Sequence, residues 1–165
     1  MGQVRFISNE SNNNFYFHLI SSIESAKSFD FSVAFISDAA IQLLTDTFCD
    51  AQKRGVKGRI ITSDYMFGTD PKALRRLLSF NNIQVKVYST LKNNNRGFHT
   101  KGYYFTRDED TQVTIGSSNL TSNALKSNHE WNMTYYSNQN SRVIQNVRSE
   151  FEDLWFDEDN VIPLT

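Results

Sequence analysis

His99 and Lys101 stand two residues apart, and Gly116-Ser117-Ser118-Asn119 follows a short way downstream. The run from Phe98 to Phe105 reads as a strand, in which side chains two apart share a face. An imidazole and an ammonium are thereby held side by side. A second strand, Thr111 to Gly116, pairs with the first as a hairpin and delivers Ser117 and Asn119 near the same place. Neutral imidazole is a competent nucleophile near pH 7 and can carry a covalent phosphoryl group. A fixed cation and neutral hydrogen-bond donors suit oxygens on which charge develops. The set fits attack on a phosphodiester and calls for no metal ligand.

Plainer readings stand beside the chemical ones. Lys101 is either the cation that neutralises phosphoryl oxygens or a solvated side chain on an edge strand. The apolar character of its strand argues for a central position, where a lysine needs an anionic partner. Ser117 and Asn119 either donate hydrogen bonds to those oxygens or serve turn chemistry, which favours Gly, Ser and Asn for local reasons. Gly116 lets the backbone approach a phosphate. Asp108 and Asp110 crowd a hairpin turn, where Asp is expected, and no third residue at convincing spacing completes a metal site. Neither a metal nor a cofactor is expected. His18 projects from the outer side of the first helical pattern and is expected at the surface.

His-x-Lys followed by Gly-Ser-x-Asn resembles the phospholipase D superfamily, whose pattern is His-x-Lys-x-x-x-x-Asp and then Gly-Ser-x-Asn. Thr106 stands where that pattern has Asp, and the gap to Asn119 is longer. Both departures are similar to the nuclease branch, which includes metal-independent restriction endonucleases. In that branch a Glu beyond the Gly-Ser-x-Asn segment takes the acidic role, and Glu130 is the matching residue. A carboxylate accepting the imidazole N–H would fix its tautomer; otherwise Glu130 is a strand-edge acid that balances Lys126. Ile60 to Tyr65 and Thr69 to Leu74 resemble the nuclease-like domain that precedes some bacterial superfamily 2 helicases.

That resemblance covers most of the chain. It implies a phospholipase D-like α/β sandwich and a phosphodiesterase, above all a DNA endonuclease of a restriction or helicase-linked system. The superfamily's active site contains two His-x-Lys motifs, from one chain or two, and this chain carries one. The implied active species is a homodimer with two His99 side chains facing across a two-fold axis, one attacking and one protonating the leaving oxygen. A non-catalytic module that only positions nucleic acid is the alternative. Lipid hydrolysis ranks third, because no interfacial apolar helix is evident.

A net charge of −1 hides an asymmetry. Residues 53–101 carry eleven Lys or Arg against Asp64 and Asp70, a net of +9, and the rest of the chain has a net of −10. A basic region beside the His-x-Lys strand suits a polyanion, DNA before RNA; the bland alternative is a pair of solvated basic helix faces. Arg96, Lys72, Arg75 and Arg76 are the candidate phosphate contacts. Cys49 is the single cysteine, so no internal disulfide forms and a reducing compartment is the natural reading. No apolar run approaches the roughly 20 residues of a membrane span, and residues 1–10 lack a signal-peptide pattern, so a cytoplasmic protein without membrane contact is expected.

Apolar spacing places helices over Phe15–Ser28, from Ser37 or Asp38 to about Arg54, after Pro71, and through the stripe from Val143 to Trp155. Strands fall at Phe29–Ile36, Gly58–Thr62, Ile83–Val87, Phe98–Phe105, Thr111–Gly116 and His129–Tyr136. A short helix is expected over Asn119–Lys126 and a loop over Leu91–Gly97. Strand–helix alternation argues a mixed sheet with helices on both faces. Residues 1–156 read as one domain. Residues 157–165 read as a linker, with a covalently attached helicase region as the expected continuation.

Overall fold

A run that is apolar on both faces must be central, and the run after the first helix lies in the middle of the sheet. The computed structural model describes residues 2–92 and 96–165. The described residues form strands β1 (Gln3–Ile7), β2 (Ser28–Val33), β3 (Lys57–Ser63), β4 (Ile83–Tyr88), β5 (Lys101–Thr106), β6 (Thr111–Gly116), β7 (Asn132–Ser137) and β8 (Val161–Pro163). Helices are α1 (Phe15–Ser25), α2 (Asp38–Lys53), α3 (Pro71–Leu78), α4 (Ser122–Lys126) and α5 (Arg142–Trp155). They build one mixed sheet in the order β1-β7-β6-β5-β2-β3-β4-β8. The β2–β3 and β3–β4 pairs are parallel and the others antiparallel. The expected α/β sandwich is present.

The two faces are covered unequally. Phe29, Phe31, Ile60, Val85, Tyr103 and Phe105 meet Phe15, Leu19, Leu44, Phe48, Leu77 and Leu125 from the first four helices in the larger core. Among the described residues the opposite face carries one helix, α5, whose Phe151 and Trp155 pack on Ala34, Ile61 and Tyr88 while Ile144 meets Tyr104 and Val113. An ionic clamp fixes α5 there. Arg59 of β3 holds Asp30 of β2 at 2.6 Å and Glu152 of α5 at 2.7 Å, with its guanidinium 4.9 Å above the Phe151 ring. Four of the five described helices start at a side-chain cap. Asn14, Ser37, Asp70 and Thr121 accept backbone N–H groups of the first turns, and Pro71 follows its cap where it forfeits no helical bond.

Three expectations change, and one strand is added. β1, in a stretch to which the sequence reading assigns no element, alternates polar and apolar over Gln3-Val4-Arg5-Phe6 and pairs along β7 as an edge strand. The tail read as a linker contributes β8, which pairs antiparallel to β4, and Leu164 packs against the core. Three residues are too few for alternation to show. The regular strand begins at Lys101 rather than Phe98, although Ala34 N–H still donates to Thr100 C=O at 3.0 Å. His18 is half-buried, held against Thr114 and Gln112 of β6, because this side of α1, with Ser22 one turn on, rests on that strand. The loop read over 91–97 lies partly outside the described residues.

Candidate active site

Where β2 ends, its backbone gathers both motif segments. Lys101 pairs with Val33 at the start of β5. Beyond the strand, Phe35 N–H donates to Asn119 Oδ1 at 3.1 Å, Leu120 N–H to Phe35 C=O at 3.2 Å, and Ser37 N–H to Leu120 C=O at 3.0 Å. His-x-Lys and Gly-Ser-x-Asn thus arrive together because both are tied to one strand end. Asn119 spends its carbonyl on the backbone, which leaves its NH2 group as the donor.

The His99 side chain is exposed and packs edge-on against Tyr65, ring centres 4.8 Å apart, and less closely against Phe35 at 6.4 Å. Its ring makes no hydrogen bond among the described residues. Lys101 Nζ donates to the His99 carbonyl at 2.8 Å, which anchors the backbone that carries the imidazole. Partial burial holds the Lys101 ammonium below its ordinary range, and the Glu130 carboxylate opposes that shift.

Glu130 is buried, 8% exposed. The sequence reading offers it as acceptor of the imidazole N–H or as a strand-edge acid balancing Lys126; the carboxylate accepts the Ser117 hydroxyl in a short hydrogen bond. Ser117 Oγ in turn accepts Trp131 N–H at 3.0 Å, and Ser117 N–H donates to Trp131 C=O at 3.1 Å. The Ser117 proton is therefore committed to Glu130 rather than offered to a phosphoryl oxygen. Gly116 sits so close to β7 that an added Cβ would lie 2.2 Å from the Trp131 carbonyl oxygen. Close backbone approach is its role, toward Trp131.

Sequence reading missed the residues beneath the motif. Buried Tyr103 donates its hydroxyl to Ser118 C=O at 2.8 Å, and burial, with the nearby Glu130 charge, pushes its phenol well above the usual range. Asn132 donates to Ser118 Oγ at 2.8 Å and accepts Ser118 N–H at 3.4 Å. Tyr and Asn in strands carry no sequence signal of such work. Tyr65 opens a short turn, Tyr65–Phe67, in which Met66 and Phe67 adopt left-handed backbone at φ 51° and 53°. Phe67 is 93% exposed there.

The basic candidates divide. Lys72 lies in the first turn of α3, whose start is tied to the same strand end by Asp70 N–H to Ile36 C=O at 2.9 Å. Arg96 and Arg75 are exposed. Arg76 is drawn to Asp38 of α2, at 2.9 and 3.2 Å, so its charge is largely engaged. Among the described residues no group of three His, Cys, Asp or Glu converges to hold a metal, and no helix is long and apolar enough to cross a membrane.

Residues 19–155 match the family model described as cardiolipin synthase, PLD-like domain, a span that contains every residue of the motif. The chain belongs to the phospholipase D-like family. Solved structures share the fold. NucT from Helicobacter pylori is 21% identical with a TM-score of 0.74, over 98% of this chain and 99% of its own. Nuc from Salmonella typhimurium, a phospholipase D family member, is 18% identical with a TM-score of 0.72, over 99% of each chain. Phosphatidylserine synthase from Haemophilus influenzae is 12% identical with a TM-score of 0.71, over 99% of this chain and 39% of its own. No curated protein sequence matches the chain. In this phospholipase D-like chain the family's His-x-Lys and Gly-Ser-x-Asn segments are thus found at one strand end, on the family's sheet.

Proposed function

We propose that this chain is a metal-independent phosphodiesterase acting on nucleic acid, DNA before RNA, through a phosphohistidine at His99. The observation that carries the reading is that the end of β2 ties together the segments that bear an exposed imidazole, the Lys101 ammonium and the Asn119 NH2 group. The His99 ring nitrogen attacks phosphorus, an N–P bond forms, and the P–O bond to the leaving strand breaks. Lys101 and Asn119 meet the charge that develops on the non-bridging oxygens. The leaving oxygen takes a proton from a second imidazole; water then attacks phosphorus, gives its proton to that imidazole, and the N–P bond breaks.

The second imidazole is the His99 of another copy. One face supports this reading. Gly102, Ile115, Met133 and Phe6 are register partners across β5, β6, β7 and β1, so they form one row on the side that carries α5. Ile115, Met133 and Phe6 are about half exposed, and Trp131, beside Glu130, continues the row with its ring 5.9 Å from Phe6. An apolar row that leads into the site suits an isologous contact which brings two sites together. Mixing wild-type chains with His99→Ala chains tests it. Heterodimers with one imidazole are expected to be severely impaired, whereas activity linear in the wild-type fraction overturns the shared site. Mass spectrometry after a base quench is expected to find the phosphoryl group on His99.

A structural relative fits the same chemistry: the yeast tyrosyl-DNA phosphodiesterase, 16% identical, TM-score 0.53, over 82% of this chain and 32% of its own. A restriction or helicase-linked setting is our finer reading, resting on the segments Ile60–Tyr65 and Thr69–Leu74.

A further inference from the structure

Tyr65, Met66 and Phe67 form a lip beside the imidazole. Tyr65 is its foot, half-buried, edge-on to the His99 ring, and 3.5 Å from where a Cβ on Gly97 would stand. Met66 and Phe67 follow in left-handed backbone, where a bulky residue other than glycine is an outlier. They are 74% and 93% exposed, and Leu91, which lines the same hollow of about 210 Å³, is 77% exposed. Three large apolar side chains are thus held out of the core in one place, two of them on strained backbone. Neither the strain nor the exposure brings a return within the chain.

The lip is pinned at both ends. Asp64, which precedes it, accepts Thr90 N–H at 2.8 Å and the Thr90 hydroxyl at 2.7 Å on Oδ1, and the Ser89 hydroxyl at 3.1 Å on Oδ2. Phe67 N–H donates to Asp64 C=O at 3.0 Å, and Gly68 N–H to Tyr65 C=O at 3.1 Å. Gly68 then lies so close to the Phe35 ring that no Cβ fits there, and Phe35 is the residue whose N–H holds Asn119. The lip follows β3 and Leu91 follows β4, whereas the row of Phe6, Ile115 and Met133 lies on β1, β6 and β7. Sheet order places the two on opposite sides of β5, whose leading end carries His99, so a contact between copies along that row does not require the lip.

Lys72, Lys92 and Arg96 are exposed in the segments that flank the lip. Charge that tracks phosphates, together with a ring on which bases stack, holds single strands without reading sequence. Phe67 Cα is at most about 7.6 Å from Tyr65 Cα, two peptide units away, and a base is joined to its phosphate through one sugar. Resting on the nucleic-acid reading above, we propose that Phe67 is a substrate-binding platform on whose ring an unpaired base next to the scissile phosphate stacks, with Met66 and Leu91 at the edge of that base. Single-stranded nucleic acid is then the substrate class, because a paired base keeps both faces in its own stack.

The test measures affinity by fluorescence anisotropy on the full chain carrying His99→Ala, so that nothing is cleaved. The probes are a short DNA single strand, the same backbone without bases, and the corresponding duplex. Phe67→Ala is expected to weaken the single strand about tenfold or more and to leave the abasic strand within about twofold, and Phe67→Trp to restore the affinity. At 93% exposure the truncation removes little packing, and circular dichroism checks the fold. Equal weakening of the strands with and without bases, or of neither, overturns the platform, as does a duplex that depends on Phe67 as strongly as the single strand. Weaker self-association with strand affinity unchanged also overturns it, and makes the lip a contact between copies. The outcome is separable from the proposed catalysis. Cleavage abolished by EDTA sinks the phosphohistidine with the Phe67 dependence intact, and affinity indifferent to Phe67→Ala sinks the platform with wild-type cleavage intact.

Discussion

Single side chains in this site are set by where each proton is already committed. Ser117 donates its hydroxyl to Glu130, and the Asn119 carbonyl accepts Phe35 N–H, so among these motif side chains Lys101 and the Asn119 NH2 keep protons for a phosphate. Ser117→Ala is expected to cost about 2 kcal/mol, the scale of a hydrogen bond to a charged group, because the buried Glu130 loses its donor. Thermal denaturation checks this, and an unchanged midpoint contradicts it. His99→Ala is expected to lower diester cleavage on the order of a thousandfold or more while leaving DNA affinity almost unchanged, since affinity comes from cations on phosphates. Filter binding at graded salt measures the second half; affinity lost together with cleavage, or insensitive to salt, counts against it.

Elements place these groups through two features, a strand end and an uncovered face. If the row of Phe6, Ile115 and Met133 is the contact between copies, Met133→Lys gives a folded monomer with cleavage reduced at least about a hundredfold. Sedimentation together with circular dichroism tests it, and an active monomer refutes it. The α1–β6 contact makes a separate expectation. Burial, and secondly the Arg5 charge, lowers the His18 pKa from 6.5 to about 4. An unfolded chain takes up that proton near its ordinary pKa, whereas the folded chain keeps the ring neutral. The stability linked to His18 is thus complete above about pH 6.5 and is lost progressively as pH falls toward 4, on the order of 2 to 3 kcal/mol. Urea denaturation at graded pH should show that loss in wild type and a flatter profile in His18→Gln; parallel profiles contradict the account.

At the scale of the whole molecule, what sequence discloses follows how local each signal is. The motif pairs, the cap at Ser37, the helix start at Pro71 and the doubly apolar β2 are local patterns, and all were readable. β8 was not, because an edge strand of three residues owes its form to its neighbour β4, and the alternation of β1 runs only from Gln3 to Phe6, short enough to need its partner β7. Asn132 and Tyr103 were unreadable as site residues for a related reason: their work is to bond Ser118 from other strands. Sequence also offered Glu130 to the imidazole, whereas in the folded chain its carboxylate accepts the Ser117 hydroxyl. The central claim joins fold and chemistry, that His99 rather than a bound metal ion activates the diester. Incubation of the purified chain with end-labelled DNA in excess EDTA tests it most directly, beside a His99→Ala control. Cleavage by wild type undiminished by EDTA, with none from the variant, is the result predicted; activity abolished by EDTA and restored by magnesium would contradict it.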